Sequence, residues 1–246
     1  MEPFPRRGST FPRPAAPVAL PLAAALSALA LGWLGPLTFP FRLLTTIVHE
    51  LGHGLAALLT GGSFLRFVVF PDGSGLAYTA GGITWLIIPA GYVGAALFGA
   101  TLIAVGRSLR ASRVTLGVLG ASLALLTLRY ALPTLLSSQF LGGLLTVATG
   151  VGLGSGLLLA AWRAESRWSL FLLNLLAFWV GFSALGDLRV LFAVATGLGV
   201  TASDAHAMAR ITFLPPAFWA VVWALVSVTA ICAAFWRTWL HPPHVP

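Results

Sequence analysis

The chain has 246 residues, 58% of them hydrophobic and only 8% charged, where a soluble domain carries roughly 25% charged residues. So few charges cannot clothe a globule in water, so the composition excludes a soluble enzyme and specifies an integral membrane protein. The formal charge of +8 comes from fourteen scattered arginines against six acids; the clustered basic stripe that follows a phosphate backbone is missing, and nucleic acid is excluded as a partner.

A helix needs about 20 apolar residues to cross the hydrocarbon, and seven stretches approach that length: roughly 18–35, 41–60, 83–106, 114–136, 140–162, 168–195 and 213–236. The expected fold is an all-α integral membrane protein of about seven transmembrane helices in a single domain, 1–246. It has a leader at 1–16 and a tail at 237–246. The first stretch follows "MEPFPRRGSTFPRP", and "SALA" (Ser27–Ala30) resembles a signal-peptide cleavage site. Its apolar run is longer than a signal core and leads directly into the next, which favours an uncleaved first helix. Trp33, Trp85, Trp162, Trp168, Trp236 and Trp239 fall near proposed helix ends, as in an interfacial belt. Arg107, Arg110 and Arg113 form one basic region and Arg6, Arg7 and Arg13 another. Three spans separate them, so the positive-inside rule points both ways and leaves orientation open.

The second stretch carries "TTIVHELGHGLAALL", Thr45–Leu59. Ionisable groups at membrane depth mark a functional site by default. Residues four apart share a helix face, so His49 and His53 can aim two imidazole nitrogens at one metal. Glu50 lies one position on, beside the metal and free to take a proton from water. Two histidine ligands, a glutamate base and a third ligand from elsewhere make up the zinc-hydrolase arrangement.

Between this helix and the next lies a β-rich segment at 64–80. The runs Phe64–Phe70 and Leu76–Thr79 flank "PDGSG", and Asp-Gly between such runs specifies a β-hairpin with Asp72 in its turn. Further on, "GGLLTVATGVGLGSG" (Gly142–Gly156) has small-xxx-small spacing at Gly152 and Gly156, which suits close helix packing. Without a preceding strand or a following acid it is a poor dinucleotide loop. Asp187, in "LGDLRVL", is an acid deep in the sixth stretch, where a lone carboxylate needs a partner such as Arg189 or a helix N-terminus. In "TASDAHAMARITFLPP", Ser203 and Asp204 are placed to cap a helix. His206 is expected at an interface, and His241 and His244 in a terminal tail. The single cysteine, Cys232, excludes an intrachain disulfide and a cysteine zinc site.

"VHELGHGLAALLTGG", a hairpin, and then "IIPAGYVGAALFGA" (Ile87–Ala100) resemble the site-two protease family of intramembrane zinc metalloproteases, in particular its compact peptidase M50B-like bacterial branch. The resemblance covers most of the chain. It implies Zn2+ held by His49, His53 and a later aspartate, with Glu50 as the catalytic base. It also implies a membrane-associated or membrane-spanning protein or peptide as substrate, the lipid bilayer as surroundings, and a bacterial plasma membrane as location. The family sets its aspartate in an Asn-Pro…Leu-Asp-Gly context. Asp187 is the best match and so the implied third ligand, with Asp204 as its rival, although the proline and the following glycine are missing around Asp187 and Asn174 lies thirteen residues earlier. That departure motivates a second reading, a catalytically inactive protease-like scaffold. A metal-containing transporter is a third, opposed by the lack of paired broken helices or inverted repeats.

Overall fold

The computed structural model describes residues 19–195 and 203–240, and the side chains of all of these except 184–195. The leader, and His241 and His244 of the tail, lie outside the described residues. In chain order, α1 (Ala19–Leu31) leads through a 3-10 turn into α2 (Phe39–Leu59). The strands β1 (Ser63–Val69) and β2 (Gly75–Ala80) follow, then the single turn α3 (Thr84–Ile87) and α4 (Tyr92–Val105). The remaining helices are α5 (Leu109–Ala131), α6 (Phe140–Arg163), α7 (Ser166–Ala195), α8 (Asp204–Thr212) and α9 (Pro216–Phe235).

The expectation of a helical membrane chain with one hairpin holds, but seven full spans do not emerge. Among the described residues three helical stretches are long and apolar enough to cross a membrane: Leu109–Leu136, Phe140–Arg163 and Pro216–Leu240. Their outer faces carry exposed leucines such as Leu125, Leu141, Leu159 and Leu225, a surface suited to lipid. The expected span at 83–106 is divided. Pro89 cannot continue a helical hydrogen-bond ladder, so α3 stops and α4 begins after it, with Gly91 at its N-cap. That break lies against α2 and helps to build the site described below.

The hairpin is antiparallel, with Phe67 opposite Ala77, Val68 opposite Leu76 and Val69 opposite Gly75. The register shifts between Phe64 and Arg66, where Leu65 forms a bulge. Asp72 takes the expected turn role: its carboxylate accepts from the Ser74 amide at 2.9 Å and the Ser74 hydroxyl at 2.7 Å. The turn is tied to α2, since Arg42 donates to the Asp72 carbonyl at 3.2 Å and Thr46 to the Gly73 carbonyl at 2.7 Å. The strands differ in burial. Phe64, Phe67, Val68 and Val69 of β1 are buried, and the Val69 amide donates outward to Thr146 of α6 at 2.7 Å. The side of β1 away from β2 is therefore covered by protein, and β2 is the edge strand.

The most extensively packed helix pair is α5 with α6, and glycine lets the two approach closely. A Cβ on Gly120 would stand 2.6 Å from the Gly154 carbonyl oxygen, and one on Gly154 would stand 2.7 Å from that of Gly120. The approach uses Gly150 and Gly154, whereas Gly152 and Gly156, the pair expected from spacing, face open space. Small-residue spacing identified the right helix but the wrong face, because several glycine pairs in that run share the spacing. Gly154→Val is expected to destabilise the chain by about 1–3 kcal/mol through overpacking. Gly152→Ala should stay within about 0.5 kcal/mol of the parent. Thermal unfolding in detergent measures both.

Candidate metal centre

The helix α2 has two faces. Thr45, Thr46, His49, Glu50 and His53 line a polar cavity of about 620 Å³, which is closed on other sides by β2, by residues around α3 and α4, and by Ser203 and Asp204 at the start of α8. Glu50 and His53 are buried, with 5% and 8% exposure. Such burial is costly for ionisable groups unless they find partners.

The partner comes from far along the chain. Asp204 Oδ2 lies 3.1 Å from His49 Nε2 and 3.2 Å from His53 Nε2, and the two imidazole nitrogens are 3.0 Å apart. Among the described residues these three are the group that offers one ligand atom each to a common ion. Tetrahedral ligands at zinc distances of about 2.0–2.1 Å stand roughly 3.3 Å from one another, so the observed triangle is close to a ligand set already assembled.

Each donor is held by its own neighbours. His53 Nδ1–H donates to the Ile87 carbonyl at 2.7 Å. A carbonyl only accepts, so the neutral ring carries its proton on Nδ1 and turns the Nε2 lone pair to the cluster. Anchoring the far nitrogen in this way is the usual support for a metal-binding imidazole. The His49 ring meets the Tyr92 ring edge-to-face at 4.5 Å, and Tyr92 in turn stacks on Trp223 at 6.0 Å. Asp204 is free for this role because Ser203 performs the capping: its hydroxyl accepts from the His206 amide at 3.4 Å and meets His206 Nδ1 at 2.8 Å. The expectation of Asp204 as a cap is corrected to Ser203, and His206 serves the same cap. Ala205 and Met208 then bury against Trp223, with Ile88, Tyr92 and Val93 around them, and so fix α8 over the histidines.

Space for the donors comes from two glycines. A Cβ on Gly91 would overlap the His49 ring and His53 Nε2. One on Gly75 of β2 would stand 2.5 Å from Glu50 Oε1 and 2.8 Å from its Cγ. Gly75 therefore lets the carboxylate sit against β2, where the Ala77 amide hydrogen-bonds it. Two imidazole nitrogens and one carboxylate oxygen, a braced tautomer and a side-chain-free wall at Gly91 all fit a divalent metal of the zinc type.

The sequence expectations for His49, Glu50 and His53 converge on this one site. Asp187, the expected third ligand, falls in α7, but its side chain lies outside the described residues; the carboxylate that meets the histidines is Asp204. The Ile87 carbonyl, Tyr92 and Gly91 had no signal of their own beyond lying in the Gly/Pro-rich segment after the hairpin. Asp204→Ala is expected to lower metal content sharply. Ser203→Ala should cost about 1 kcal/mol of helix capping with metal retained. Elemental analysis of purified protein, paired with thermal unfolding, distinguishes the two effects.

Neither a curated protein nor a solved structure matches the chain. A family model described as peptidase M50B-like matches residues 22–234. With nearly the whole chain covered and the histidine pair already set beside a carboxylate, this membrane protein belongs to the peptidase M50B-like family of the site-two proteases.

Proposed function

We propose that the protein is a zinc endopeptidase that cuts membrane-associated or membrane-spanning peptides. The observation that carries this reading is the triangle of His49, His53 and Asp204 at 3.0–3.2 Å with Glu50 on the same cavity wall. His49, His53 and Asp204 would hold the ion. When bound, zinc supplies Lewis acidity that activates water and the scissile carbonyl near neutral pH.

The protein's own groups do the rest. Glu50 is one helix position from His49 and turned to the cavity, so it takes the proton from the attacking water and returns it to the leaving amine. The Ile87 carbonyl holds His53 in place, and Asp204 neutralises positive charge at the cluster. A helical substrate shields its peptide bonds, so the segment to be cut must be extended. Gly75, Ala77 and Thr79 of β2 line the cavity. Backbone groups alternate in direction along an antiparallel strand. With the Val69 amide turned out to Thr146 and the Ala77 amide turned out to Glu50, the Val68 and Leu76 amides are the ones left to bond across the hairpin. The outward edge of β2 is then the surface on which an extended substrate can pair. Water reaches Glu50 through the same cavity. The scaffold reading predicts metal with no cleavage of any membrane-spanning peptide, so cleavage assays bear on it directly.

Two measurements test the proposal. Glu50→Gln keeps shape and hydrogen bonding but removes the base. It should retain zinc and lose roughly 10²–10⁴-fold in kcat; normal turnover by this variant would remove Glu50 from the mechanism. For the strand, Thr79→Pro removes an outward N–H without touching the Glu50 partner. It should raise KM by about five- to tenfold, the worth of one main-chain hydrogen bond. Val68→Pro should instead break the hairpin and lower thermal stability. Unchanged KM in a folded, zinc-loaded Thr79→Pro protein would make the hairpin a spacer with no role in binding.

A further inference from the structure

We infer that Arg210 selects substrates with an acidic side chain near the bond that is cut; this inference rests on the protease reading above. Arg210 lies in the last turn of α8 and lines the same cavity as Glu50, Asp204 and the histidines. It is the one arginine on that wall among the described residues. It is exposed, and among the described residues it makes no ion pair: the ion pairs there join Asp204 to the two histidines and Arg167 to Glu165. Among the described residues the two cavity carboxylates are engaged elsewhere, Asp204 with the histidines and Glu50 with the Ala77 amide. A guanidinium that lines a binding cavity and meets no carboxylate among the described residues is available to one brought by a ligand.

The spacing fixes which part of a substrate it reads. Asp204 and Arg210 are six residues apart on one helix, an axial separation of about 9 Å. An extended peptide advances about 3.3 Å per residue. A substrate strand that runs alongside α8, with its scissile bond at the histidine–aspartate cluster, brings a residue about three positions from the cut to the guanidinium. An aspartate or glutamate there can accept a bidentate pair of N–H bonds. A lysine or arginine at that point meets like charge and is disfavoured. The bland role for Arg210, a cation complementing the C-terminal end of α8, predicts an effect on stability and none on substrate choice.

The test uses full-length protein in detergent and a set of membrane-spanning peptides. These are identical except for Glu, Gln or Lys placed in turn at each of the four residues on either side of the cleaved bond. Cleavage is read as kcat/KM, and binding as the Kd of the same labelled peptides for the Glu50→Gln protein. The parental protein should prefer Glu over Gln by about tenfold at a position two to four residues from the cut. Arg210→Ala should erase that preference, Arg210→Lys should keep most of it, and Arg210→Glu should transfer it to the Lys peptide. An unchanged preference in folded, zinc-loaded Arg210→Ala, or equal binding of Glu and Lys peptides by the parent, overturns the assignment. If no peptide is cut, the protease reading fails on the kcat/KM arm while the Kd arm still judges Arg210.

Discussion

The structure turns on one meeting of groups: the Asp204 carboxylate with the imidazoles of His49 and His53, across 155 residues of sequence. Left apart in so apolar a chain, each of these groups would face a desolvation cost of several kcal/mol. Together they satisfy one another and define a ligand triangle. Much of the surrounding architecture serves to make that meeting possible. The break between α3 and α4 lets a backbone carbonyl reach His53. The packing of Ala205 and Met208 on Trp223 docks α8, and Ser203 caps it so that Asp204 points inward.

Close approach is the second constraint, and it is met by leaving side chains out. Gly91 faces the two imidazoles and Gly75 faces Glu50. In both places backbone stands where a Cβ would collide with a functional group. The α5–α6 pair uses the same device for a different purpose. There Gly120 and Gly154 bring two spans together without any site between them, as expected in lipid, where association depends on packing because apolar surface gains little from leaving the bilayer. A glycine in this chain therefore has no single meaning, and its role is set by what faces it.

The local parts of the site were legible in the sequence, and the long-range part was not. The i, i+4 spacing of His49 and His53 puts both rings on one face whatever the rest of the chain does, and Asp72-Gly73 between β-rich runs dictates a hairpin by turn geometry alone. The carboxylate that meets the histidines depends on where α8 docks, which no local pattern encodes. Asp187 and Asp204 are each a lone acid in apolar surroundings. Ser203, immediately before Asp204, caps α8 and leaves that aspartate free to meet the histidines. The division of the apolar stretches was hidden for a related reason. Apolar length says nothing about Pro89 interrupting 83–106, and it does not reveal that the interruption packs against α2.

The pattern of α2 ties these observations together. On one side Thr45, Thr46, His49, Glu50 and His53 face the polar cavity. On the other, Leu44, Val48, Leu51, Leu55 and Leu59 face an apolar cavity of about 510 Å³ shared with α4, α5, α6 and α7. The apolar residues recur at intervals of three and four, the period of an amphipathic helix. Here the polar face turns to the cavity that holds the histidines and the apolar face turns to the packed helices. The helix thus separates a cavity lined by ionisable groups from an apolar one. Gly52 lies on the apolar side of this partition, against the Ala90 carbonyl. At that point α2 rests directly on the broken segment that carries Ile87 and Gly91. A single helix therefore sets the histidine spacing and the position of the segment that braces His53. Glu50 lines the polar side of the same wall.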